Sequence, residues 1–175
     1  TIRLVVGRGW GQGPTHSQNL QAWFAHVPGL KVVMHTPPAD AKGLLLSSIF
    51  EPNPVVFLEH SWLHQSVGEV EKGDIRVPIG LAKIVRMGKD VTVVAASYLV
   101  VEALQAAKVL AEEGIECEVI DLRTISPLDW DAVHSSVKNT RRLIVLDSGA
   151  QTGSVAGEII ARVAIKQHHV LEAAP

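Results

Sequence analysis

The chain has 175 residues, 47% of them hydrophobic and 19% charged, with a formal net charge of -2. This is the composition of a globular protein able to bury a core, and the charge gives no reason to expect nucleic acid or a membrane surface as partner. Cys117 is the only cysteine, which excludes an internal disulfide framework and a cysteine-rich metal site and suits a reducing compartment, cytoplasmic or a mitochondrial matrix.

Thr1 to Val6 has the β-branched character of a strand already under way at the first residue. Glycines 7, 9, 11 and 13 alternate through the next segment. A dinucleotide fingerprint would need glycine where Gln12 stands, and no lysine follows in the manner of a phosphate loop. Thr15 and Gln18 fit a capping box, and Leu20, Trp23, Phe24 and Val27 share one face of the helix it would open. Leu30 to Met34 reads as a buried strand, Pro37-Pro38 as a helix start with Ala41, Leu44, Leu45 and Ile49 on the apolar face, and Val55 to Leu58 as a further strand.

Strands alternating with helices imply a parallel sheet. From His60 to Pro78 the alternation stops, and residues 60–80 read as a linker between a unit at 1–59 and a second α/β unit at 81–175. Ala82–Val85 and Val91–Ala95 flank Met87-Gly88-Lys89-Asp90 as in an antiparallel hairpin. A helix with Val100, Leu104, Ala107 and Ala111 on one face then ends at Gly114; Cys117–Leu122 is a strand, Pro127 to Trp130 opens a helix, Leu143–Leu146 is a strand, and Val155, Ile159 and Val163 mark a last helix.

His16 precedes a predicted helix start, where the dipole would favour a neutral imidazole. His60 and His64 would share a helical face, as metal ligands often do, but no helical pattern surrounds them and they read as a loop pair. His168-His169 reads as a helix C-terminus, and Cys117 as core. Asp121, Asp129, Asp147, Glu158 and Glu172 cannot be shown by sequence to converge, so none is nominated.

Several runs together resemble one family. These are His16-Ser17-Gln18, Ala22 to Val33, Asp40 to Leu45 and Asn53 to Glu59, then Val91 to Val94, Glu118 to Thr124 with Pro127-Leu128-Asp129, and Gly157-Glu158-Ile159. The family is that of the beta subunits of thiamine diphosphate-dependent 2-oxo acid dehydrogenases of the pyruvate, branched-chain and acetoin type. The resemblance implies an α/β chain: the end of a parallel-sheet pyrimidine-binding domain, then a transketolase C-terminal-like domain with a mostly parallel sheet. Both ends of the family's subunit would then be absent, and with them the cofactor-activating glutamate. It implies oxidative decarboxylation of a 2-oxo acid with acyl transfer to lipoamide, with thiamine diphosphate as cofactor and magnesium held through an alpha subunit.

The resemblance places His16 as the active-site histidine and puts Thr1, Ser48, Glu51 and Asn53 where a potassium ion is held by backbone carbonyls. Implied partners are the alpha subunit, a lipoyl acyltransferase core and a second beta subunit, with no nucleic acid and no membrane. Ala96-Ser97, Val101 and His64 depart from the family's usual residues and leave the substrate open. The alternative is a non-catalytic assembly module derived from that family, and alone the chain is expected to be inactive.

Overall fold

The computed structural model describes residues 1–7, 9 and 11–175. In chain order the elements are β1 (Ile2–Val6), α1 (Gly13–His16), α2 (Gln21–Ala25), β2 (Lys31–Met34), α3 (Pro38–Phe50) and β3 (Val55–His60). A single 3₁₀ turn follows at Ser61–Leu63. The second half holds β4 (Lys83–Arg86), β5 (Val91–Ala95), α4 (Tyr98–Glu112), β6 (Cys117–Asp121), β7 (Thr124–Ser126), α5 (Trp130–Thr140), β8 (Leu143–Val145) and α6 (Val155–Gln167).

Two four-stranded sheets result. The first has the order β1-β3-β2-β7, parallel except for β7, which comes from the second half and runs antiparallel to β2. The second has the order β4-β6-β5-β8, parallel except for β4. One core joins them: Val32, Met34, Val56 and Leu58 pack in the same cluster as Val94, Ile120, Val133 and Ile159.

The expected hairpin does not form. β4 pairs with β6, and β5 lies between β6 and β8. All five residues of β5 are buried, so it needs a partner on each edge, whereas the more exposed β4 serves as a sheet edge.

The expected long helix after the glycine segment is also absent. Thr15 Oγ1 donates to the Gln12 carbonyl at 2.8 Å instead of capping, and the Ser17 hydroxyl accepts from the Gln12 N–H at 2.8 Å. Such local bonds compete with helix continuation. Two short helices stand in its place, with Phe24, Ala22 and Ala25 turned to the core and Trp23 72% exposed.

α3 forms where expected, with Leu44 buried and Leu45 packed against the core as expected, but its inward face also takes in small and polar residues and leaves Ile49 out. Asp40, Gly43, Leu44 and Ser48 point inward, while Ile49 is 58% exposed. Each of the small or polar positions has a partner. A Cβ on Gly43 would meet Val77 Cγ2 at 2.6 Å, so glycine lets the linker lie against the helix, where Val77 N–H donates to the Gly43 carbonyl at 3.1 Å. Ser48 Oγ donates to the Leu44 carbonyl at 2.7 Å. The linker is thus a packed strap, with Val77 and Ile79 against Leu44 and Phe57.

Candidate active site

His16 closes α1 and is exposed. Four residues separate it from α2, so the N-terminal helix dipole expected beside it is not there. The segment that carries it is pinned at its base. Gly7 N–H donates to the Gln18 carbonyl at 3.4 Å, and Ser61 Oγ donates to the Val6 carbonyl at 3.0 Å. A Cβ on Gly7 would stand 2.8 Å from Ser61 Oγ and 3.3 Å from the His16 carbonyl oxygen, so glycine is required for this close approach. His16 is thereby held at the carboxyl end of the first sheet, the end at which parallel sheets place ligands.

At the end of β3 lies a group of rings, of which only His60 stood out in the sequence. His60 stacks on Tyr98 with centroids 5.1 Å apart, and Trp62 meets Tyr98 edge-on at 4.7 Å. Burial lowers the His60 pKa, and its Nδ1 accepts from the Trp62 N–H at 3.3 Å. Nδ1 is therefore the unprotonated nitrogen of a neutral ring. A tryptophan within an otherwise polar linker was the available signal.

Glu59 lies next to His60 and is held by Arg3 through two bonds of 2.6 and 2.9 Å. The Arg3 guanidinium keeps its carboxyl below the ordinary carboxylate range. His64 Nε2 is 3.9 Å from the same carboxylate. Among the described residues no group of three or more His, Cys, Asp or Glu could hold a metal ion.

The two halves meet through buried polar contacts. Arg123 forms a bidentate pair with Asp40 at 2.7 and 2.8 Å, and Thr36 Oγ1 donates to the Ser97 carbonyl at 3.2 Å. Alongside His16, a cleft of about 600 Å³ has Ser17 and Gln18 on one wall and Asp147, Ser148 and Gln151 on the other. Asp147 accepts from Gln21 Nε2 at 2.6 Å and from the Gly149 and Ala156 N–H groups at 2.9 and 3.1 Å.

Thr1, Ser48, Glu51 and Asn53 gather at the end of α3. Thr1 Oγ1 donates to the Ser48 carbonyl at 2.6 Å, and Asn53 Nδ2 donates to Glu51 Oε1 at 2.7 Å. The Lys31 ammonium sits 2.8 Å from Glu51 Oε2 and is the main reason its pKa is lowered. Oxygen donors suited to a hard cation are present, but Lys31 already neutralises Glu51, so carbonyls would carry the coordination.

Residues 80–175 match the transketolase C-terminal domain family, and residues 2–67 match the transketolase pyrimidine-binding domain. The chain belongs to the family of proteins built from the transketolase pyrimidine-binding and C-terminal domains. Within it, the chain is similar to beta subunits of 2-oxo acid dehydrogenases. It is 48% identical over 98% of its length to the acetoin:2,6-dichlorophenolindophenol oxidoreductase subunit beta of Cupriavidus necator, covering 51% of that protein. It is 45% identical over 95% of its length to the mitochondrial pyruvate dehydrogenase E1 component subunit beta-1 of Oryza sativa subsp. japonica, covering 46% of that protein. A mitochondrial 2-oxoisovalerate dehydrogenase subunit beta of Arabidopsis thaliana is 43% identical over 93% of the chain, which covers 46% of it. The chain thus spans about half the length of the curated relatives it matches. A solved structure titled split gene transketolase, inactive beta4 tetramer, superposes with a TM-score of 0.80 at 23% identity, over 95% of this chain and 53% of that one. That likeness concerns the fold.

The family depends on thiamine diphosphate. The cleft beside His16 does not fit the whole cofactor. Among the described residues Asp147 is the only charged group in its lining, and a carboxylate there repels a diphosphate that needs cations or a metal.

Proposed function

We propose that this chain corresponds to part of the beta subunit of a 2-oxo acid dehydrogenase of the cytoplasm or mitochondrial matrix. Completed and paired with an alpha subunit, that subunit would oxidatively decarboxylate a 2-oxo acid and pass the acyl group to lipoamide on an acyltransferase core. The observation that carries this reading is the 48% identity over 98% of the chain with an oxidoreductase beta subunit. The exposed placement of His16 at the carboxyl end of the first sheet agrees with it.

Thiamine diphosphate supplies the chemistry at the carbonyl carbon when bound; its diphosphate and magnesium belong to the alpha subunit in this reading. His16 gives and takes protons at the reacting group and during acyl transfer, since histidine does both near neutral pH. Potassium is assigned to the carbonyls around Ser48, Glu51 and Asn53.

The test is His16→Ala and His16→Asn in the complete beta subunit assembled with its alpha partner. Both variants should assemble normally and lose roughly 10²–10⁴-fold in lipoamide acylation, the range for a lost general acid–base. Unchanged acylation in both overturns the assignment. A non-catalytic assembly module is the second reading, favoured by the lack of a cationic group in the cleft among the described residues. It expects the His16 variants to be silent in every assay.

A further inference from the structure

We propose that Trp62 is a positioning residue: its indole seats the glycine-rich segment that carries His16 and, through Tyr98, ties that segment to the second sheet. The inference rests on the reading of His16 given above for its consequence in catalysis, but not for the contact itself.

The segment leaves β1 at Gly7 and is closed at its base by the Gly7–Gln18 hydrogen bond. Two of its bonds, Gln12 N–H to Ser17 Oγ and Thr15 Oγ1 to the Gln12 carbonyl, are local. A Cβ on Gly11 or Gly13 would meet nothing within 4 Å. Gly9 differs. With φ +85°, it turns the Cβ direction toward the six-membered ring of Trp62, and a Cβ there would sit 3.7 and 3.8 Å from Cζ2 and Cη2. Those would be van der Waals distances for a side chain, so the Gly9 main chain is a near neighbour of the indole edge.

The indole has a fixed orientation. Its own backbone N–H is bonded to His60 Nδ1 at 3.3 Å, and its ring meets Tyr98 at 4.7 Å with an interplanar angle of 84°. Tyr98 begins α4, next to Ser97, whose φ of 55° sets the turn from β5 into that helix. A line of neighbours therefore runs from α4 through Tyr98 and Trp62 to Gly9, on the segment that carries His16. Trp62 remains 43% exposed, so its ring is not a core side chain whose removal would empty the interior. The aromatic pair also stabilises through its quadrupoles when edge-on.

Trp62→Ala and Trp62→Phe are compared with the unmodified chain by amide hydrogen exchange and by the ring proton resonances of His16 through a pH titration. Trp62→Ala should speed exchange in residues 12–18 on the order of tenfold while β5 and β6 exchange as before, as local opening requires. The His16 resonances should move in Trp62→Ala and return toward their original positions in Trp62→Phe, which restores a flat ring. In the complete enzyme the alanine variant should lower kcat for lipoamide acylation more than it raises KM for the 2-oxo acid, again with recovery in phenylalanine. Should Trp62→Ala fail to fold, Tyr98→Leu removes the edge contact and is read in the same way. A folded Trp62→Ala or Tyr98→Leu whose segment exchanges within twofold of the original, with unmoved His16 resonances, overturns the proposal. Normal activity of His16→Ala would instead remove the catalytic reading and leave the exchange result standing.

Discussion

Asp121 closes β6 with a fully buried carboxyl group. Its Oδ1 accepts from the Arg123 N–H at 3.0 Å, and Oδ2 has no hydrogen-bond partner. Burial pushes its pKa from 3.8 to about 6, against smaller opposing effects of Thr36 and Arg123. Below about pH 4 the group is protonated in both folded and unfolded chains and adds no pH dependence. Between about 4 and 6 only the unfolded chain ionises, so stability falls as pH rises, and above 6 the full cost of about 3 kcal/mol remains. Asp121→Asn should therefore stabilise the chain at pH 8 and change it little at pH 4, measured by urea unfolding at both. Equal effects at the two pH values would contradict the assignment. His35 and His60 act with the opposite sign, because burial lowers both of their pKa values and favours the fold at higher pH. Comparing variant with parent at each pH cancels them. At the end of α3, the potassium assigned to the carbonyls of Ser48, Glu51 and Asn53 leads to a second expectation: the melting temperature should rise more in potassium than in lithium at equal ionic strength. Identical melting in the two salts would argue against that cation site.

Among the elements, the crossing between β4 and β5 is the most demanding. The chain passes the start of β6 so closely that a Cβ on Gly88 would overlap the main chain of Cys117 and Glu118. The Lys89 and Asp90 N–H groups both donate to the Glu116 carbonyl at 3.0 Å. Backbone cannot rotate away as a side chain can, so Gly88→Ala should cost about 3 kcal/mol or more, the upper end for overpacking. Gly114, after α4, has φ +83° with nothing within 4 Å of a Cβ, and its alanine variant should lose only about 1 kcal/mol from the backbone conformation. Denaturant midpoints of the two variants check the contrast, and equal losses would show that the crossing can relax. The same close packing explains the inward face of α3. Gly43 and Asp40 face inward because the linker and Arg123 occupy the space beside them, a choice no apolar periodicity reveals.

For the whole molecule, the two sheets share one core and exchange a strand, since β7 completes the first sheet from within the second half. One edge of the first sheet, however, is β1, which pairs only with β3. Its Ile2 is 58% exposed, and the outer side of α3 presents Phe50 at 60% exposure. Open strand edges and uncovered apolar surface favour association. The chain should therefore self-associate in a concentration-dependent way by light scattering coupled to size exclusion. A monomer at all concentrations would mean that this edge is tolerated in water.

The order of strands and helices was legible in the sequence because buried parallel strands and amphipathic helices leave periodic apolar patterns that short-range physics enforces. β6, α4, α5 and α6 formed close to their expected places, with Gly114 and Asp129 as end signals. The family was legible too, through continuous runs of residues. Strand pairing was not, because a sheet neighbour is chosen by burial across the whole molecule: β5 takes β6 and β8 rather than adjacent β4. The short strand β7 and the inward face of α3 were decided the same way, by contacts with distant segments such as Asp40 with Arg123, whereas the broken helix around His16 reflects the local bonds among Gln12, Thr15 and Ser17. Distant contacts also decided the ring cluster of His60, Trp62 and Tyr98, in which Tyr98 lies far along the chain from the other two and meets them only because the halves pack against each other.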